Sequence, residues 1–144
     1  MRVALFTETF LPKVDGIVTV LVLLMDHLIQ RGIEFVVVAP KLGDEITQYR
    51  GQKVIGVPGV RFPLYPELRL GPPTLHTYRE VRDFQPDIAH FIHPTLVGTG
   101  GLMMAKRLSV PTLASFHLDL ANMAQYFGLG FLEPVVWWYT RTNF

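Results

Sequence analysis

At 144 residues, 49% hydrophobic and 17% charged, the chain has the length of one domain and the apolar content for a buried core, which excludes a disordered tail or a collagen-like repeat. Lys plus Arg number 13 and Asp plus Glu 12, a net charge of +1 that gives no electrostatic footprint for nucleic acid. The absence of cysteine removes disulfide scaffolds, thiolate zinc sites and cysteine nucleophiles, and fits a reducing compartment.

Taken in chain order, short β-branched runs alternate with longer stretches of helical period. Residues 2–6 read as a buried parallel strand, and their apolar run is too short for the core of a secretory signal. A helix is expected over 17–31, with Ile17, Leu21, Leu24 and Leu28 on one stripe and Gly32 as its stop. Its most apolar part, residues 17–25, is interrupted by Thr19 and falls short of the roughly 18 residues that span a bilayer. Strands follow at 34–39 and 53–57. Residues 58–73 carry prolines at 58, 63, 66, 72 and 73 and read as a stiff extended loop. A helix is expected over 74–84, with Leu75, Tyr78, Val81 and Phe84 on one stripe. A strand at 87–92 leads to a helix over 97–108, with Lys106 and Arg107 suited to its last turn. A fifth strand at 112–116 precedes two more helices, 118–127 and 132–141. No repeat or low-complexity tract is present.

Strand–helix–strand units of this length give a parallel sheet with helices on both faces. The fold class is therefore α/β, a doubly wound Rossmann-like sheet of order 3-2-1-4-5. Ligands in such sheets bind beyond the carboxyl ends of the strands, where strand order reverses. Here that point lies between the first and fourth strands. The loops at 7–16, 93–96 and 117–119 face it and collect Glu8, Lys13, Asp15, His93, Thr95, His117 and Asp119.

Asp15-Gly16 stands just before a helix. Glycine permits close backbone approach, and a helix start offers N–H groups to an anion; the same pair also reads as an ordinary cap. His117 either faces the crevice or fills a core gap, and Asp119 either orients it or caps the next helix. His90 and His93 point to opposite faces of their strand, which argues against a shared metal. His90 reads as structural, and His27 and His76 as surface residues. No G-x-G-x-x-G or G-x-x-x-x-G-K-[ST] occurs, so dinucleotide and P-loop chemistry lose their main support. Ser115 has no G-x-S-x-G around it. Gly98, Gly100 and Gly101 read as close helix–sheet packing. Phe131, Trp137, Trp138 and Tyr139 read as core or a domain interface, and also suit a membrane surface.

Residues 2–19, RVALFTETFLPKVDGIVT, resemble the opening of glycosyltransferase family 4 enzymes. The subgroup is the one around sulfoquinovosyl-diacylglycerol synthase and the phosphatidylinositol and diacylglycerol mannosyltransferases. Agreement continues at GVPG (56–59) with FPLYP (62–66), FQPDIAH (84–90), SFHLDL (115–120) and YFGLGFLEP (126–134), so it covers essentially the whole chain. Two departures stand out. Leu118 lies between His117 and Asp119 where the family commonly has a polar residue, and the first helix is unusually apolar over 20–24.

The resemblance implies the N-terminal, acceptor-side half of a GT-B fold across residues 1–144, with the C-terminal nucleotide-sugar-binding domain absent from this chain. It implies sugar transfer from a UDP- or GDP-sugar to an acceptor, a lipid or a saccharide, with retention of configuration and without metal or other cofactor. It places Gly16 against the donor phosphates and His117, the catalytic candidate, beside the transferred sugar. Asp15 and Asp119 match neighbouring positions, and Lys13 joins them as a substrate-binding candidate. The expected location is cytoplasmic, peripheral on the inner face of the membrane. Two alternatives stay open: a non-catalytic binding module, and a nucleotide-sugar epimerase of the same architecture.

Overall fold

The computed structural model describes residues 1–41, 46–63, 65–92, 95–115, 117 and 128–143. The strands are β1 (Arg2–Phe6), β2 (Glu34–Lys41), β3 (Gln48–Tyr49), β4 (Gln52–Pro58), β5 (Val60–Phe62), β6 (Tyr65–Leu70), β7 (Ile88–Phe91) and β8 (Thr112–Ala114). The helices are α1 (Gly16–Gln30), α2 (Leu75–Phe84), α3 (Leu96–Leu108) and α4 (Glu133–Asn143), the last entered through a 3-10 turn at Gly130–Leu132.

The main sheet runs β3-β4-β2-β1-β7-β8. Within it β4, β2, β1, β7 and β8 are parallel neighbours, which is the expected 3-2-1-4-5 order. The reason is visible in β2. Its residues from Phe35 to Ala39 are all buried, and alternate ones serve opposite cores. Val36 and Val38 join Phe6, Phe91, Val81 and Leu102 under α2 and α3. Phe35, Val37 and Ala39 join Leu5, Leu21 and Met25 under α1. Each buried Val, Leu, Phe or Met side chain contributes about 1.5–3 kcal/mol, so a strand buried on both sides is strongly fixed in register.

Three expectations change, and one strand is added. The buried stripe of α1 is Val18, Leu21, Met25 and Leu28, one residue round from the stripe expected, because the helix is apolar on most sides. Val20 and Leu23 are left exposed. The 58–73 segment is not a loop throughout: β5 and β6 pair as an antiparallel hairpin. Its prolines permit this because of where they fall. Pro63 lies in the turn, and Pro66 lies in the 66–68 stretch that the pairing passes over, between Phe62↔Tyr65 and Arg61↔Arg69. A missing N–H costs nothing at either place. The two-residue strand β3 folds back antiparallel on β4. Finally, Phe131, Trp137 and Trp138 are exposed, which sets aside the core reading and leaves the interface and membrane-surface ones. The helix expected at 118–127 lies outside the described residues. Among the described residues no helix is long and apolar enough to cross a membrane.

Candidate functional site

The chain leaves β1 at Phe6 into a loop that is itself buried. Thr7, Glu8, Thr9 and Phe10 are all at most 9% exposed. The Thr7 N–H donates to the Val38 carbonyl at 3.0 Å, and its hydroxyl donates to the Thr9 carbonyl at 2.7 Å, so the loop turns back onto the sheet edge. It continues through a cis Leu11–Pro12 peptide to Lys13, whose N–H reaches the Phe10 carbonyl at 3.2 Å. Asp15 then caps α1. Its Oδ1 accepts from the Val18 N–H at 2.8 Å, and its Oδ2 lies 3.0 Å from the Lys13 Nζ. Burial alone would raise the Asp15 carboxyl. The N–H groups of Val18 and Ile17 and the Lys13 ammonium outweigh it and hold the group below its ordinary value. At Gly16, apart from its chain neighbours and the backbone of its own helix, no atom of the described residues stands within 4 Å of where a Cβ would be.

Beyond the carboxyl ends of β1, β2 and β4 lies a cleft. Glu8, Thr9 and Lys13 line it from the first loop, Lys41 from the end of β2, Ile46 from the approach to β3, and Arg69 from the hairpin. Gly56 shapes its wall. A Cβ there would stand 2.2 Å from the Lys41 Cδ, so glycine lets the lysine stem lie across β4. The Thr9 hydroxyl is buried and has no hydrogen-bond partner among the described residues.

Glu8 reaches away from solvent to the start of α3. Its Oε1 accepts from the Val97 N–H at 2.6 Å and from the Thr95 hydroxyl. One turn along α3, the Thr99 hydroxyl donates to the Thr95 carbonyl at 2.7 Å and meets the Tyr139 hydroxyl of α4. Burial pushes the Glu8 carboxyl up to about 7, with the Thr95 and Val97 bonds pulling the other way.

At the far side of the reversal point, His90 of β7 shares a 2.6 Å hydrogen bond with the Ser115 hydroxyl. Burial, and then the nearby His117, hold the His90 imidazole below its ordinary value. This is the structural histidine expected. His117 itself is exposed. Of the expected residues, then, Lys13, Asp15 and Gly16 come together, Glu8 meets Thr95, and His117 lies within electrostatic reach of His90. His93 and Asp119 lie outside the described residues. His27 and His76 are exposed, as expected.

Three lining residues were not singled out from the sequence. Lys41 directly follows the apolar run of β2, at the strand end where ligands bind, and that signal was readable. Arg69 is hidden in a proline-rich stretch that gave no sign of a hairpin. Thr9 has no local signature.

The profile of Glycosyltransferase Family 4 matches residues 14–143. A GDP-mannose-dependent alpha-mannosyltransferase of Mycolicibacterium smegmatis is 37% identical over 98% of this chain and 39% of its own length. A protein of the same description from Mycobacterium tuberculosis is 37% identical over 98% of this chain and 38% of its own. An alpha-monoglucosyldiacylglycerol synthase of Streptococcus pneumoniae is 26% identical over 92% of this chain and 30% of its own. The chain thus spans well under half the length of the curated relatives it matches.

Proposed function

The chain belongs to glycosyltransferase family 4, and on that premise we propose that it forms the acceptor-side half of a two-domain GT-B enzyme that transfers a hexosyl group from a nucleotide-sugar to a lipid acceptor with retention. The cleft carries this reading. Its lining includes Lys41 and Arg69 with the buried Thr9 hydroxyl, a chemistry suited to the polar head of an acceptor. The relatives' descriptions make GDP-mannose the first donor to test and a diacylglycerol-type lipid the first acceptor.

Breaking the bond between sugar and nucleoside diphosphate puts negative charge on the leaving phosphate. The open space at Gly16, the start of α1 and the Lys13 ammonium suit that charge without a metal. Asp15 serves by holding the loop in its capped form. In this reading His117 sits beside the transferred sugar, and the second domain supplies most of the donor contacts. The transition state is oxocarbenium-like. The acceptor oxygen attacks the anomeric carbon on the face the diphosphate leaves, and its proton passes to a leaving phosphate oxygen. Exposed Phe131, Val135 and Trp138, spaced to share one side of the 3-10 turn and α4, suit docking on the cytoplasmic face of a membrane.

The test is sugar transfer by the full-length gene product from GDP- and UDP-sugars to diacylglycerol-type acceptors, with the product anomer read by NMR. Transfer with retention, lost in His117→Ala, is expected. Absence of transfer from every donor, or an inverted product, overturns the reading.

A further inference from the structure

Glu8 has no part in the transfer steps above, yet it is among the most completely enclosed polar side chains described, at 1% exposure. Its carboxyl does the work of a helix cap from a distant place in the chain. Thr95 is the cap residue of α3 by position but makes no side-chain cap bond of its own. Its hydroxyl is turned to donate to Glu8. Glu8 in turn accepts the Val97 N–H, one of the four N–H groups that a helix start leaves without an intrahelical partner. The two residues are 89 positions apart, so this bond joins the first loop to a separate crossover unit.

The same loop ends in Lys13, Asp15 and Gly16. Its near end is fixed by the Thr7 bond to Val38 and its far end by the Asp15 cap. Glu8 fixes the stretch between them against α3. Through Thr99 and Tyr139 the start of α3 also touches α4.

We propose that Glu8 is a positioning residue of the transfer reaction, its carboxyl clamping the first loop onto the start of α3 and so setting Gly16 and Lys13 for the phosphate-bearing substrate. This rests on the transferase reading. Burial of the carboxyl, together with the donors at Thr95 and Val97, brings its protonated and ionised forms into balance near neutral pH. Tyr139 faces it from α4, its own phenol raised by burial and by Glu8. Lys13, Lys41 and Arg69 share the cleft it lines. A glutamine retains the accepting oxygen for both donors but cannot ionise.

The experiment uses the full-length protein as wild type, Glu8→Gln and Glu8→Ala. Sugar transfer and melting temperature are measured from about pH 5 to about pH 9. Wild type is expected to show a bend in kcat near neutrality. Glu8→Gln is expected to keep the acceptor KM and lose the bend. Glu8→Ala is expected to lose about a hundredfold in kcat, the scale of a misplaced substrate loop. A Glu8→Gln profile that keeps the wild-type bend, or a folded Glu8→Ala protein with wild-type kcat, overturns the clamp.

If wild type transfers no sugar, the transferase reading fails by itself and the melting curves judge the clamp. A carboxyl raised in the fold stabilises fully below its ordinary 4.5 and loses that contribution as pH rises through about 7. Wild type should therefore lose melting temperature across that window relative to Glu8→Gln, which lacks this contribution while keeping every other titrating group. Parallel curves overturn the clamp there too.

Discussion

Gly101 of α3 lies against the ring of Phe6, the last residue of β1: a Cβ on Gly101 would stand 2.6 Å from the Phe6 Cδ1 and 2.7 Å from Cε1. The ring has nowhere to go. It is 1% exposed and packs on Phe91 at a centroid distance of 5.2 Å. Overpacking of this kind costs about 1–3 kcal/mol, whereas the better helix propensity of alanine returns at most about 1 kcal/mol. Gly101→Ala is therefore expected to destabilise the domain in urea unfolding. An unchanged midpoint would mean that α3 can shift on the sheet.

Asp15 offers a test that separates cap from charge. Asp15→Ala should cost about 1 kcal/mol through the lost α1 cap, and Asp15→Asn much less. The Asp15 carboxyl is held low in the fold, so its stabilisation is present above the ordinary 3.8 and is lost as pH falls through the lower folded value. An acid melting series should show that loss in wild type and a flatter curve in Asp15→Asn. Coincident curves would show that ionisation of Asp15 adds nothing.

His90 should titrate below 6.5 by NMR, because burial first and His117 second disfavour its charged form. A histidine lowered in the fold contributes stability above 6.5 and loses it as pH falls through the folded value. Removing the neighbouring charge with His117→Ala should raise the His90 midpoint. If it does not move, the two imidazoles are not electrostatically coupled and His117 lies further from β7 than described.

Lys41 and Arg69 separate the acceptor from the donor in kinetics. Charge-assisted bonds contribute about 1.5–3 kcal/mol, so Lys41→Ala and Arg69→Ala should each raise the acceptor KM by roughly tenfold or more. The donor KM should stay near its original value. A rise in donor KM alone would move these cations to the other substrate.

The parallel sheet could be read from the sequence because both faces of its strands are buried. A run such as Phe35 to Ala39 has one stable use, and the glycines and prolines around such runs mark the crossovers. The hairpin at 60–70 was not legible, since whether a proline breaks a ladder depends on which N–H the partner needs, and that follows from register. The α1 stripe was off by one residue because Val, Leu and Met occupy nearly every side of the helix, and packing against Phe35 and Val37 chose among them. In the site, the Asp15 cap was visible in the two residues 15–16. Glu8 was recognisable as a polar residue at the reversal point, but its burial was not, because its donors Thr95 and Val97 come from another crossover.

The sheet also has unlike sides. At the start of β4 it is covered by β3. Gln48 and Tyr49 double back in the opposite sense, and the Tyr49 hydroxyl ties down to the Asp26 Oδ1 of α1 at 2.8 Å. Along β8 it is open among the described residues: β7 is its one ladder partner and Leu113 is exposed. Unpaired edge groups template further strands. Strand β8, with β7 as its one ladder partner among the described residues, therefore offers a newcomer strand a place to add, and self-association of the isolated domain in a concentrated preparation should involve it.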